Sequence, residues 1–428
     1  MFAPRYRRPP RAAYPLGTRT RPSVTTLRVG RGQASRALLA AREHSIHRRV
    51  GIAWGLLVLN TMTYTGSLVP IPFAVGKVIT QGSLPLALLV ALTANRRIII
   101  RPNVFLCLVC LLTMDAVLTA LQPQYLGTIY RTFRLVEFVA VLWLLTPWWR
   151  RDDILLVRYH LKWLSVALGS VLLGLLLFPG RAMAAGRLSG ILWYMPPTQV
   201  AHYAAITTGL VIVLWLSGEF PNRITLLVVA LGGTILVMTH TRTALAGLIA
   251  GTFVAGLSLI VAKARVRKTF AAVGVVAVAT SLTLSSVLQK WVARGEGTQQ
   301  LAQLTGRTKV WGQLLAFPRD RFQEIFGFGL SNSSFNGLPI DSNWLSSYQE
   351  QGLLGVTVCV AMLLFLLVTA CFQPRGMQRA LAFFLVTYCL VASFTEDGFT
   401  DATTYLLELT LAASLLVSSS VRRSDTRC

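Results

Sequence analysis

Thr-His-Thr-Arg-Thr, residues 239–243, interrupts an apolar run that climbs to Met238 and resumes at Ala244. A basic residue at such a break suits anion chemistry. If the second run is a helix beginning near Thr243, its first N–H groups are unpaired and carry the positive end of the helix dipole. Thr241 or Thr243 can cap it. Arg242 adds a guanidinium there, and phosphate is the anion a guanidinium grips best, through two parallel hydrogen bonds. The alternative is an arginine that reaches out to lipid headgroups. His240 could carry a proton beside it.

Further groups of the same kind follow. The stretch LTGRTKVWGQLLAF, 304–317, reads as a short amphipathic helix. Thr305 is its cap, Arg307 and Lys309 lie in its first turn, and Trp311, Leu314 and Leu315 make an apolar stripe. Cations at a helix start oppose the dipole, a conflict that a bound anion relieves; lipid headgroups would relieve it too. Asp341 stands shortly after Pro339 and just before Ser342 and Asn343, either as a helix cap or facing a cavity. A carboxylate there could take a proton from a hydroxyl.

Polar groups inside apolar runs are the remaining candidates. Arg131, Arg134 and Glu137 are spaced i, i+3, i+6 on roughly one helix face. They suit a diphosphate, or an internal Arg134–Glu137 pair that locks packing. Gln199 and His202 are spaced i, i+3 after Pro196-Pro197 and read as a substrate contact or as a packed, hydrogen-bonded pair. Arg187 is a third cation for an anion. Glu396, Asp397 and Asp401 form an acidic tip that suits sugar hydroxyls or plain solvent. Asp115 and Glu408 have no assigned role at this level. The C-x-x-C of Cys107 and Cys110 lies in an apolar helix and reads as packing.

The elements that must position these groups are helices in a membrane. The chain has 428 residues, is 54% hydrophobic and only 13% charged, and its mean hydropathy is +0.59. Apolar runs of spanning length recur along it. The expected spans are about 50–67, 72–94, 103–121, 127–147, 161–179, 197–217, 224–238, 243–262, 269–288, 352–372, 380–394 and 403–420. This is an all-α polytopic membrane protein of about twelve transmembrane helices. Residues 1–49 form a basic arm, expected to be disordered and cytoplasmic and to touch anionic lipid. Residues 50–288 carry helices one to nine, 289–351 one long loop, 352–420 the last three helices, and 421–428 a tail.

The net charge of +25 would suit nucleic acid, but its distribution does not. Twelve arginines lie in residues 1–49, and most other basic residues punctuate the apolar runs. With the N-terminus inside, 29 of the 41 Lys and Arg fall on the cytoplasmic side. This bias places both termini in the cytoplasm. The 239–243 turn, residues 180–196, the long loop and the 395–402 tip then face outward. An outer loop of that length is commonly functional.

Four segments, in order, resemble the superfamily of O-antigen ligases and O-antigen polymerases, bacterial envelope glycosyltransferases. They are GRLSGILWYMPPTQVAHYA (186–204), THTRTALAG (239–247), GRTKVW (306–311) and IFGFGL with DSNWLSSYQEQGLLG (325–355). In the ligase pattern a His followed by Asn, Ser or Gln stands nine residues before a G-x-x-G. Here nine residues separate Ser342 from Gly352, Gly355 completes the G-x-x-G, and Asp341 occupies the His position. That departure favours a polymerase-like or divergent member.

The resemblance implies transfer of a glycan from a polyprenyl-diphosphate carrier to an acceptor hydroxyl on a glycan or glycolipid, outside the cytoplasmic membrane. For that reaction Arg242 and Arg307 are the candidates to stabilise the diphosphate, with Arg187 third, and Asp341 is the candidate base for the hydroxyl. Substrate contacts are expected from Gln199, His202, His240, Lys309, Arg131 and Arg134. The chain has no D-x-D to hold a nucleotide-sugar metal ion and no ligand-spaced His/Cys/Asp cluster. The expected reaction uses no metal, cofactor or nucleic acid. A flippase of lipid-linked glycan also suits twelve helices with intramembrane charges, though no paired repeat is visible. A non-catalytic envelope assembly protein is the other alternative.

Overall fold

A computed structural model describes residues 24–62, 72–122, 128–149, 154–183, 186–283, 307–331 and 334–417, with backbone alone over 24–39 and 275–283. The expected cap Thr305, the first part of the long loop (289–306), residues 1–23 and the tail lie outside the described residues. The protein is predominantly helical. Among the described residues, sheet is limited to a two-residue hairpin of β1 (Ser334–Phe335) and β2 (Leu338–Pro339).

The long helices follow the apolar runs closely. They are α1 (Val24–Asn60), α2 (Phe73–Ala94), α3 (Val104–Ala120), α4 (Ile129–Leu145), α5 (Leu155–Leu177), the short α6 (Pro179–Ala182), α7 (Pro197–Ser217), α8 (Asn222–Thr239), α9 (Arg242–Leu259) and α10 (Ala264–Thr283). After them come α11 (Arg307–Ala316), α12 (Arg321–Phe326), α13 (Asn343–Phe372), α14 (Met377–Ala392) and α15 (Thr404–Leu416). Among the described residues six helices, α2, α5, α7, α8, α9 and α13, are long and apolar enough to cross a membrane; α3, α14 and α15 are shorter apolar helices. Large apolar side chains such as Val78, Leu226, Ile249 and Leu364 are exposed. On a soluble surface they would be an aggregation hazard; on a membrane helix they are the lipid face.

Two chain units are distinct, Met1–Arg48 and Arg49–Cys428. In the first, residues 24–48 are helical, so the expected disorder of the arm does not extend over them. Ala, Leu and Arg dominate 34–43, and these are strong helix formers.

In the second unit α7 is the central helix, buried along nearly its whole length. Helices α14 and α15 are buried almost as completely. Gly247 and Gly251 of α9 face α14 one turn apart. A Cβ at Gly247 would lie 2.8 Å from Tyr388, and one at Gly251 2.8 Å from the Phe384 carbonyl. This small-xxx-small stripe lets the two backbones approach, which is how helices associate where lipid supplies no hydrophobic drive.

The long loop folds back on α13. Helix α13 starts nine residues before the expected span, and Gly352 breaks it with φ +60 and ψ −158. A straight helix would pair the carbonyls of Gln349 and Glu350 with residues 353 and 354. Here they accept from the backbone N–H of Phe328 and Gly329 instead, both at 2.9 Å. Helix α11 packs Val310 and Leu314 against Phe335 and Ile340 in a small core of its own. Leu315, expected in that stripe, is exposed; a helical turn brings Val310 to the position facing Leu314 instead.

Candidate functional site

A cavity of about 520 Å³ opens where six segments meet, one of them α13 through Glu350. The others are the end of α1, the starts of α2, α4 and α7, and the turn joining α14 to α15. Each helix that lines it does so from the end that alternation of direction would put on one side of a membrane. The lining mixes cations (Lys77, Arg131, Arg134) with carboxylates (Glu350, Glu396, Asp397, Asp401) and two tyrosines, Tyr130 and Tyr405.

Helix α4 places Arg131 and Arg134 on one face, as their spacing predicts. Arg131 pairs with Asp401 at 3.3 Å and also donates to the Ser331 carbonyl. Ser331 in turn donates to Glu350 Oε1 through its N–H (2.9 Å) and its hydroxyl (3.1 Å). The tip, the loop and α13 are thereby tied to α4. Arg134 donates to the carbonyl and side-chain oxygens of Asn60, both at 3.4 Å, rather than to Glu137. These bonds close the end of α1 onto the cavity.

Gln199 and His202 line the same cavity but do not bond to each other. Gln199 donates to Tyr203 Oη at 2.8 Å and to the Thr61 carbonyl at 3.2 Å. His202 stands between Glu408 Oε1, 2.6 Å from Nε2, and Tyr388 Oη, 3.0 Å from Nδ1. Glu408 is fully buried on α15, and this partnership explains a carboxylate inside an apolar run. Asp115, also buried, makes no side-chain hydrogen bond among the described residues and does not line the cavity.

A second group sits at the α8–α9 turn. His240 ends α8 in the left-handed region, φ +50, and Arg242 is the first residue of α9. Thr241 occupies the cap position without a side-chain cap bond. Its hydroxyl instead accepts from Arg187 Nη2 at 3.2 Å, while Arg187 Nε donates to the Thr239 carbonyl at 2.9 Å. Arg187 therefore satisfies the carboxyl end of α8, where a cation is favoured, and it bonds to the residue just before Arg242. Thr243 exchanges a hydrogen bond with Thr395 at 2.6 Å, which joins this turn to the α14–α15 tip.

A third group comes from the long loop. Trp311 Nε1 donates to the Ile340 carbonyl at 2.7 Å. That anchor sets the register of α11 so that Arg307, one turn earlier, meets Asp341, with Nε to Oδ2 at 3.1 Å. Asp341 has φ +46, a conformation uncommon for a side chain with a Cβ. The cap position of α13 belongs to Ser342, not Asp341. Lys309 is exposed and joins neither the cavity nor the pair; two residues past Arg307 it faces a different side of the helix.

Glu396 connects the groups. Asn343 Oδ1 accepts from the N–H of Gly398 (3.3 Å) and Phe399 (2.8 Å), and Asn343 N–H donates to the Ser393 carbonyl (2.9 Å). These bonds seat the tip against the start of α13, next to Asp341. Burial pushes the Glu396 carboxyl up to about 7. The negative charges of Asp341 and Asp397 add to that shift, and Arg307 and Arg187 oppose it. Glu396 thus lines the cavity while it feels both arginine groups.

Of the residues singled out from sequence, Arg131, Arg134, Gln199 and His202 line the cavity, Arg187 bonds to Thr239 and Thr241 in the turn that holds His240 and Arg242, and Arg307 pairs with Asp341. Glu350 was missed: it lies two residues before Gly352 and looks like part of a polar helix start. Lys77 and Tyr405 were also missed, because nothing local marks them. In comparisons with known proteins no family model matches the chain, and no curated protein matches it either.

Proposed function

We propose that this protein is an integral-membrane glycosyltransferase of the O-antigen ligase and polymerase kind. It moves a glycan from a polyprenyl-diphosphate carrier to an acceptor hydroxyl of a glycan or glycolipid on the outer side of a bacterial cytoplasmic membrane. Its twelve long helices span that membrane with both termini inside. The observation that carries the reading is the convergence of Arg187, Arg307 and Asp341, from segments far apart in sequence, on the electrostatics of Glu396, a residue that lines the cavity.

The chemistry suits those groups. Breaking the bond between sugar and diphosphate develops negative charge on the leaving oxygen, and guanidinium groups placed where it develops lower the barrier. Arg242, Arg307 and Arg187 are the residues for that role. Hydroxyl-rich sugar fits a wall of carboxylates, amides and tyrosines. A carboxylate of the same neighbourhood takes the acceptor's proton, and Asp341 is the residue that the family pattern points to.

The test is a reconstituted assay. Purified protein in lipid vesicles is given a polyprenyl-diphosphate-linked oligosaccharide and a glycan acceptor, with no nucleotide present. Lengthened or newly attached glycan with release of polyprenyl diphosphate is the expected result. Passage of labelled donor across the bilayer without transfer would instead support a flippase. Neither event would leave an assembly protein.

A further inference from the structure

We infer that Glu396, not Asp341, is the base that takes the proton of the acceptor hydroxyl. The inference rests on the transfer reaction proposed above. A base needs an oxygen open to the substrate. Among the cavity's carboxylates, Glu350 receives two hydrogen bonds from Ser331. Asp401 is paired with Arg131 and accepts from the Ala402 N–H at 2.6 Å. Asp397 is likewise engaged. Glu396 lines the cavity, and its carboxylate makes no hydrogen bond or ion pair among the described residues.

Asp341 is in the opposite state. It does not line the cavity, and Arg307 holds its Oδ2 at 3.1 Å. That oxygen is therefore engaged by a guanidinium, and the carboxylate has no place on the cavity wall.

Glu396 is also held where a base must be. Its N–H donates to Ala392 at 2.9 Å, Thr395 is bonded to Thr243, and Asn343 grips the backbone of residues 398 and 399. The groups facing it are Arg187 from the loop before α7, Arg307 from α11, Asp341 before α13, and Asp397 beside it. Tyr388 of α14 and Tyr405 of α15 also feel its charge. Its resulting poise, about 7, matches proton transfer at neutral pH.

The step balances without a co-reactant. The acceptor oxygen forms a bond to the anomeric carbon. The bond from that carbon to the diphosphate oxygen breaks, and its electron pair leaves with the polyprenyl diphosphate among the arginines. The acceptor's proton passes to Glu396 and then to water.

The experiment is the vesicle transfer assay run from pH 5 to 9 on full-length wild type, Glu396→Gln, Glu396→Asp and Asp341→Asn. Wild-type turnover should rise with pH through about 7, as the carboxyl loses its proton. Glu396→Gln should lose about 10²–10⁴-fold in turnover and lose that acid limb. Donor retention by the purified variant should be unchanged. Glu396→Asp should keep part of the rate and a shifted limb, which a merely structural glutamate would not predict. Asp341→Asn should keep the limb. Near-normal turnover with an intact limb in Glu396→Gln would overturn the inference while leaving the transferase reading in place. Absence of transfer by wild type at every pH would overturn both.

Discussion

Arg307 Nε lies 3.1 Å from Asp341 Oδ2, across a chain separation of 34 residues. The contact exists because Trp311 is bonded to Ile340, the residue immediately before Asp341. Both side chains are partly exposed, 26% and 36%, so the pair does little to hold the fold together. Exposed pairs contribute at most about 1 kcal/mol.

Asp341→Asn should therefore leave the melting temperature nearly unchanged. It should raise the donor KM and lower kcat/KM by about 5-fold or less, the equivalent of about 1 kcal/mol. Steady-state transfer kinetics check this. A loss of several orders of magnitude, with the acid limb abolished, would return the base to Asp341.

Arg242→Ala should abolish transfer while the protein still inserts and stays monodisperse. Arg242→Lys should recover only part, since an ammonium cannot grip a diphosphate through two parallel bonds. Full activity of the alanine variant would leave Arg242 as a headgroup contact.

Gly352 has a backbone conformation that only glycine adopts readily, and an added Cβ would run into the carbonyl group of Ile325. Gly352→Ala should cost on the order of 2–4 kcal/mol through backbone strain and overpacking. Gly274→Ala is the control, because nothing lies within 4 Å of its Cβ position on α10. Thermal unfolding in detergent should show a clear fall for the first and none for the second. Equal behaviour would mean that the break in α13 does not depend on its glycine.

Sidedness can be read with single cysteines in a background stripped of native thiols. Leu338→Cys, at the exposed hairpin, should react with an impermeant maleimide on intact cells. Glu219→Cys, exposed in the turn between α7 and α8, should react only after the membrane is opened. The reverse pattern would place the cavity in the cytoplasm, where the proposed donor and acceptor do not meet.

Local sequence determines the helices of this protein. Runs of apolar residues, broken by Pro, Gly and basic residues, mark where α2 to α5, α7 to α9, α14 and α15 lie, because a backbone in lipid must pair within its own segment; α13 begins in the polar stretch before its run. The same local logic found Arg242 at a helix start and Arg131 and Arg134 on one face. Partners are a different matter. That Arg131 meets Asp401, His202 meets Glu408, and Arg307 meets Asp341 depends on which helix ends are neighbours. No local pattern records that, since each contact joins segments between 34 and 270 residues apart. The distinction between Asp341 and Glu396 is of this kind. In sequence both are acids in turns beside a helix, and the resemblance favours Asp341. Only the tertiary fold ties up one carboxylate against a guanidinium and leaves the other facing the cavity, and a proton acceptor is defined by that surrounding rather than by its residue type.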